Sequence, residues 1–160
     1  MVGITKHILD QYSDLRKEIE EVQEKISKLD VEIDRLEKRI REIENGEIVK
    51  DKVRGGEGGN QSFNIEGVPR KEYEQKKTAL YSKKLLLIQR KTTLELLELE
   101  IEQKQNDVER YIASIDDSRM RRIVNMRFIE NLSWNQVADR IGGGNTEGSV
   151  KMAFQRFMKE

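Results

Sequence analysis

The chain has 160 residues, 38% of them charged and 36% hydrophobic, with Lys+Arg and Asp+Glu equal at 30 each. That length fits one domain with an extension, and the composition is that of long helices, not of a compact enzyme. Balanced charge excludes a whole-molecule attraction to nucleic acid, so any such affinity must come from a local patch. The absence of cysteine excludes disulfides and Cys-based zinc sites.

The N-terminal stretch MVGITKHILDQYSDLRKEIE turns charged at once, unlike a signal peptide, and no run of about 18 apolar residues follows anywhere. The expectation is a soluble, cytoplasmic protein. Residues 1–44 form the first predicted element. Tyr12, Leu15, Ile19, Val22, Ile26, Leu29, Ile33, Leu36, Ile40 and Ile43 recur at alternating gaps of three and four, a heptad seam. So narrow an apolar stripe needs a partner helix, either a second copy or a later helix of the same chain. For a parallel dimer, Lys25–Asp30 and Arg39–Glu44 would attract and Glu32–Glu37 would repel. On this reading Ile19, Val22, Ile26, Leu29, Ile33, Leu36 and Ile40 are the oligomerisation residues of a homo-oligomer, expected to be a dimer.

Asn45 and Gly46 read as a helix stop. Residues 45–70 then form a Gly-rich connector or a β-hairpin flap, with Ile48–Val53 and Ser62–Ile65 as short alternating runs around RGGEGGNQ. The glycines fit neither phosphate-loop nor dinucleotide spacing. Residues 71–115 form a second long helix, with Leu80, Leu87, Leu94, Ile101, Val108 and Ile115 every seven residues. Its companion positions are mixed, with Lys84, Lys91, Glu98 and Gln105 on one side and Lys83, Arg90, Leu97 and Lys104 on the other. It is long enough to run antiparallel to the first. His7 is the only histidine, and the acidic residues fit solvated helix faces. The sequence contains no enzyme motif, metal-ligand spacing or cofactor signature.

From Asp116 the heptads end and aromatics appear. Three short helices are predicted in residues 116–160. The first covers Asp117–Glu130, with Asp116 as its cap and Asn131 as a left-handed terminator. The second starts at Ser133, where Ser133 and Gln136 make a capping box and Leu132 and Val137 a hydrophobic staple, and ends at Gly142–Gly144. The third starts at Asn145 or Thr146. Ile123, Phe128, Trp134, Val137, Ala138, Ile141, Val150, Ala153, Phe154 and Phe157 converge as a small core. The third helix then turns outward Ser149, Lys151, Met152, Gln155, Arg156 and Lys159, side chains able to meet phosphates and base edges. Arg119, Arg121, Arg122 and Arg127 add positive charge. The segment holds eight Lys/Arg against six Asp/Glu.

RRIVNMRFIENLSWNQVADRIGGGNTEGSVKMAFQRFMK resembles the region 4 helix-turn-helix of sigma-70-type factors. The resemblance rests on Met126–Phe128, the turn Asn131–Trp134, Val137–Ala138 and the buried Val150. It extends to proteins of phages and mobile elements that join this module to a coiled coil, among them late transcription regulators of the ArpU/RinA group. It implies an all-α fold, a long coiled-coil helical hairpin followed by a C-terminal three-helix helix-turn-helix module, in a bacterial host cytoplasm. It also implies double-stranded DNA as partner, with RNA polymerase as a further one, and no cofactor. Asn145, Thr146, Ser149, Lys151, Met152, Gln155 and Arg156 would contact the major groove, and Ser133, Asn135 and Gln136 would approach phosphates. A phage small-terminase-like packaging protein, and a coiled-coil scaffold or RNA polymerase-binding protein without DNA contact, are the rival readings.

Overall fold

The structure is a computed structural model that describes residues 2–46, 49–54, 62–67 and 69–160, with side chains over 6–46 and 69–160. Its frame is all-α. Two long helices, α1 (Val2–Glu44) and α2 (Arg70–Ser114), are followed by α3 (Ser118–Val124), a π turn (Asn125–Ile129), α4 (Trp134–Ile141) and α5 (Glu147–Phe157). Strands β1 (Val49–Arg54) and β2 (Ser62–Gly67) pair antiparallel, with Val49 opposite Gly67 and Arg54 opposite Ser62. The hairpin alternative for this segment is therefore the one adopted. RGGEGGNQ itself lies largely outside the described residues. No helix among them is long and apolar enough to cross a membrane.

The chain divides into two compact units, residues 22–93 and residues 1–21 with 94–160. Both long helices contribute to both units, so the boundaries expected at residues 44, 70 and 115 do not mark the units.

In the unit of residues 22–93, α1 and α2 run antiparallel. Arg39 meets Glu72 at 2.8 Å, Lys84 meets Glu37 at 2.8 Å and Lys77 meets Glu44 at 3.5 Å. Leu29, Ile33, Ile40 and Ile43 are buried, and Val22, Ile26 and Leu36 are half-buried. In the other unit Ile19 is buried as well. This corrects the oligomerisation reading of α1: its seam is covered within one chain. A helix of the same chain is always at hand, whereas a second copy must be recruited from solution, so the intrachain partner wins. α1 ends where expected, with Asn45 bonded back to the Arg41 carbonyl and Gly46 at φ 96°.

Of the two sides flanking the α2 seam, that of Lys83, Arg90, Leu97 and Lys104 is the more covered. Leu97 is buried, and each of the three cations finds a partner. Lys83 reaches Glu32, Arg90 reaches the Lys25 carbonyl at 3.4 Å, and Lys104 reaches Gln11 at 3.2 Å. Long cationic side chains can lie along an apolar seam and still place their charge on a partner.

The unit of residues 1–21 and 94–160 has one contiguous core. Ile123, Phe128, Val137, Ala138 and Val150 belong to it as the pattern predicts, with Trp134, Ile141, Ala153, Phe154 and Phe157 packed against it. It also includes Leu9 and Tyr12 of α1, Val108 and Ile112 of α2, and Ile115 beyond it. The short helices are thus assembled on the ends of the long ones.

Candidate nucleic-acid interface

The first short helix is not the single helix Asp117–Glu130 expected from sequence. Its cap is Asp117, not Asp116: the Asp117 carboxylate accepts from the backbone N–H groups of Arg119 (2.9 Å) and Met120 (3.4 Å). Met120, Ile123 and Val124 keep a helical spacing, whose next core position is Arg127. The apolar residue comes one place later, at Phe128. The π turn absorbs that extra residue, Glu130 N–H bonding the Asn125 carbonyl at 3.1 Å, and so Met126 and Phe128 both reach the core. Asn131 then ends the run at φ 56°, as anticipated.

Two carbonyls at this end, those of Phe128 and Ile129, have no helical donor. Arg16 of α1 supplies them, donating at 2.8 and 3.2 Å while also bonding the Tyr12 hydroxyl at 2.6 Å. Sequence reasoning missed Arg16, because the carbonyls it caps lie more than a hundred residues away.

The start of α4 is as read. Ser133 Oγ accepts from the Gln136 N–H at 3.2 Å, and Gln136 Oε1 accepts from the Ser133 N–H at 2.9 Å. The turn after it has Gly142, Gly143 and Gly144 all at positive φ, 70°, 65° and 73°. Asn145 closes it: its Nδ2 donates to the Gly142 carbonyl and its Oδ1 accepts from Arg119 at 2.7 Å. A second capping box, missed in the sequence because Ser replaces the usual Glu or Gln, opens α5. Ser149 N–H donates to Thr146 Oγ1 at 3.2 Å and Thr146 N–H donates to Ser149 Oγ at 2.9 Å.

These bonds sort the expected contact residues. Ser149 also donates to the Thr146 carbonyl at 2.9 Å, so its hydroxyl is spent on the cap. Asn145 is committed to the turn. Ser133, Gln136 and Thr146 hold helix starts but keep a donor proton to spare. Asn135, Lys151, Gln155 and Arg156 are exposed and have no hydrogen bond or ion pair among the described residues, and Met152 is 52% exposed. Val150, 0% exposed, anchors the opposite face of α5.

The arginines of the segment divide the same way. Arg119 holds Asn145, Arg121 donates to the Ile115 carbonyl at 2.8 Å, and Arg140 pairs with Glu130. Arg127 donates to the Leu132 carbonyl at 2.8 Å and lies over the Trp134 ring, 5.2 Å from its centroid. Trp134 in turn packs on Phe154 at 5.3 Å. With these four engaged in the scaffold, the positive charge without a partner among the described residues includes Arg122 on α3 and Lys151, Arg156 and Lys159 on and just past α5. Lys151 and Gln155 also rim a cleft of about 440 Å³ floored by Trp134, Phe154 and Met158.

Set against family models, curated proteins and solved structures, the chain has no significant match. Its fold and the surface of α5 therefore carry the functional reading.

Proposed function

We propose that the chain is a DNA-binding transcription regulator of the phage or mobile-element kind, with α4 and α5 as a sigma region 4-like helix-turn-helix and no enzymatic activity of its own. The observation that carries the reading is the exposed face of α5. Lys151, Met152, Gln155 and Arg156 point outward with no partner among the described residues, while nearby arginines and capping residues hold the frame. Lys and Arg donate to phosphates and guanine edges, Gln pairs with adenine, and Met can meet a thymine methyl, so the set suits a major groove. Asn135 at the start of α4, with the spare protons of Ser133 and Gln136, would take backbone phosphates. Asn145 and Ser149 are assigned to the scaffold. Dimerisation would set two such faces on one duplex and raise affinity without further contacts. RNA polymerase is the further partner in this reading.

Selection of bound sequences from a random duplex library tests it. A recurrent motif is the expected result, and a pool without enrichment overturns sequence-specific recognition. A ring-sized solution mass would move the assignment to a packaging role.

A further inference from the structure

α5 has two adjoining faces that share residues. Lys151, Met152, Gln155 and Arg156 form the outward one. Lys151, Phe154, Gln155, Met158 and Lys159, spaced by three and four residues, form the other. The helical turn runs on past Phe157, Met158 N–H bonding the Phe154 carbonyl at 3.0 Å, so the spacing holds to the end of the face. This second face meets Trp134 of α4 and Lys6 of α1 around the cleft of about 440 Å³. Every residue lining it belongs to the unit of residues 1–21 and 94–160.

The cleft is apolar at its floor and cationic at its rim. Trp134 and Phe154 are half-buried and pack at 5.3 Å between ring centroids. Arg127 lies over the Trp134 ring, and the Tyr111 hydroxyl donates to Met158 Sδ at 4.0 Å, so the floor is held from within the unit. Lys6, Lys151 and Lys159 are exposed and have no ion pair among the described residues. No acidic side chain among the described residues lines the cleft. Its volume falls in the range of about 300–1,000 Å³ typical of small-molecule sites, which combine apolar walls with a few polar groups. Charges of one sign around low-dielectric walls focus the potential and draw in the opposite charge.

We propose that this cleft binds a small organic carboxylate with an apolar body, and that this anion and duplex DNA exclude one another. The apolar body lies on Trp134, Phe154 and Met158, and the carboxylate takes hydrogen bonds from the rim lysines. Lys151 and Gln155 belong to both faces of α5, so a bound anion withdraws them from a DNA groove. The exclusion rests on the reading of α5 as the DNA-contacting helix, whereas the binding of the anion does not.

Trp134 is the only tryptophan, so its emission reports on the cleft directly. Titrating the full chain with phenylbutyrate should shift that emission, with half-saturation at about 1 mM or below. Phenylbutyramide, which has the same shape without the charge, should need about tenfold more. Lys6→Gln with Lys159→Gln should weaken phenylbutyrate about tenfold and leave helical circular dichroism unchanged, since both side chains are exposed. An emission that does not move up to about 20 mM, or an amide as effective as the acid, overturns the site. In a second arm, anisotropy of a labelled duplex should show phenylbutyrate releasing the DNA from the wild-type chain where an equal concentration of sodium chloride does not. A duplex that stays bound to the phenylbutyrate-saturated chain overturns the exclusion. The first arm contains no DNA, which separates the two failures: a chain that responds to phenylbutyrate and binds no duplex keeps the site and loses both the DNA reading and the exclusion.

Discussion

Residue by residue, the C-terminal segment separates into side chains that build and side chains left over. Thr146 and Ser149 close a cap by two reciprocal bonds. Thr146→Ala should therefore cost about 1 kcal/mol of stability, visible as a lower thermal midpoint, with duplex affinity falling only as far as unfolding requires. Lys151→Glu should do the opposite, leaving the midpoint in place and removing binding. Equal effects of both variants on the two measurements would dissolve the distinction between frame and reader. Gly142 has φ 70° and ψ −158°, a region close to glycine-only, and open space where a Cβ would stand. Gly142→Ala should lose about 1–3 kcal/mol through backbone strain alone, and chemical denaturation would measure it. The Ser133 box and the Asn131 terminator were legible because their signals lie within four residues. The Asp117 cap lies one residue beyond the Asp116 expected, and the Thr146 box gives no standard signal because Ser149 stands where Glu or Gln is usual.

At the level of elements, periodicity located the two long helices and their seams. It could not choose between a second copy and α2 as the partner of α1, because both supply the same kind of apolar stripe. The ion pairs decide it. Glu32, Glu37 and Glu72 all lose protons more readily than a free glutamate, because Lys83, Lys84 and Arg39 hydrogen-bond them. A carboxylate with a depressed value stabilises the folded form above its unfolded pKa of about 4.3, and that contribution is lost as pH falls through the lower folded value. The α1–α2 pairing should accordingly loosen on acidification below about pH 4, and less so in high salt, which already screens these exposed pairs. Helical circular dichroism across an acid titration at two salt concentrations checks it. An unchanged signal at low pH in low salt would mean that the apolar seam alone sustains the pairing. The π turn was not legible, because a regular helix over Asp117–Glu130 satisfies most of the same apolar positions. Only the demand that both Met126 and Phe128 be buried excludes it.

For the molecule as a whole, the lesson concerns where the C-terminal module ends. The sequence changes character at Asp116, which invites a boundary there. The core ignores it, drawing Leu9 and Tyr12 from α1 and Val108 and Ile112 from α2, with Arg16 closing the π turn. Those contacts join distant stretches of chain, and no local pattern announces them. Residues 116–160 on their own should consequently show little helix and no cooperative melting, whereas the full chain melts cooperatively, and Arg16→Met should lower the melting midpoint of the full chain. A fragment that folds alone would contradict this account of the core. The central claim is that the outward face of α5 meets duplex DNA, and fluorescence anisotropy with a labelled duplex at low salt tests it most directly. The wild-type chain should bind, with affinity falling steeply as salt rises, and Lys151→Glu with Arg156→Glu should abolish binding while leaving the fold intact. Absence of wild-type binding at low salt, or full binding by the double variant, would contradict the claim.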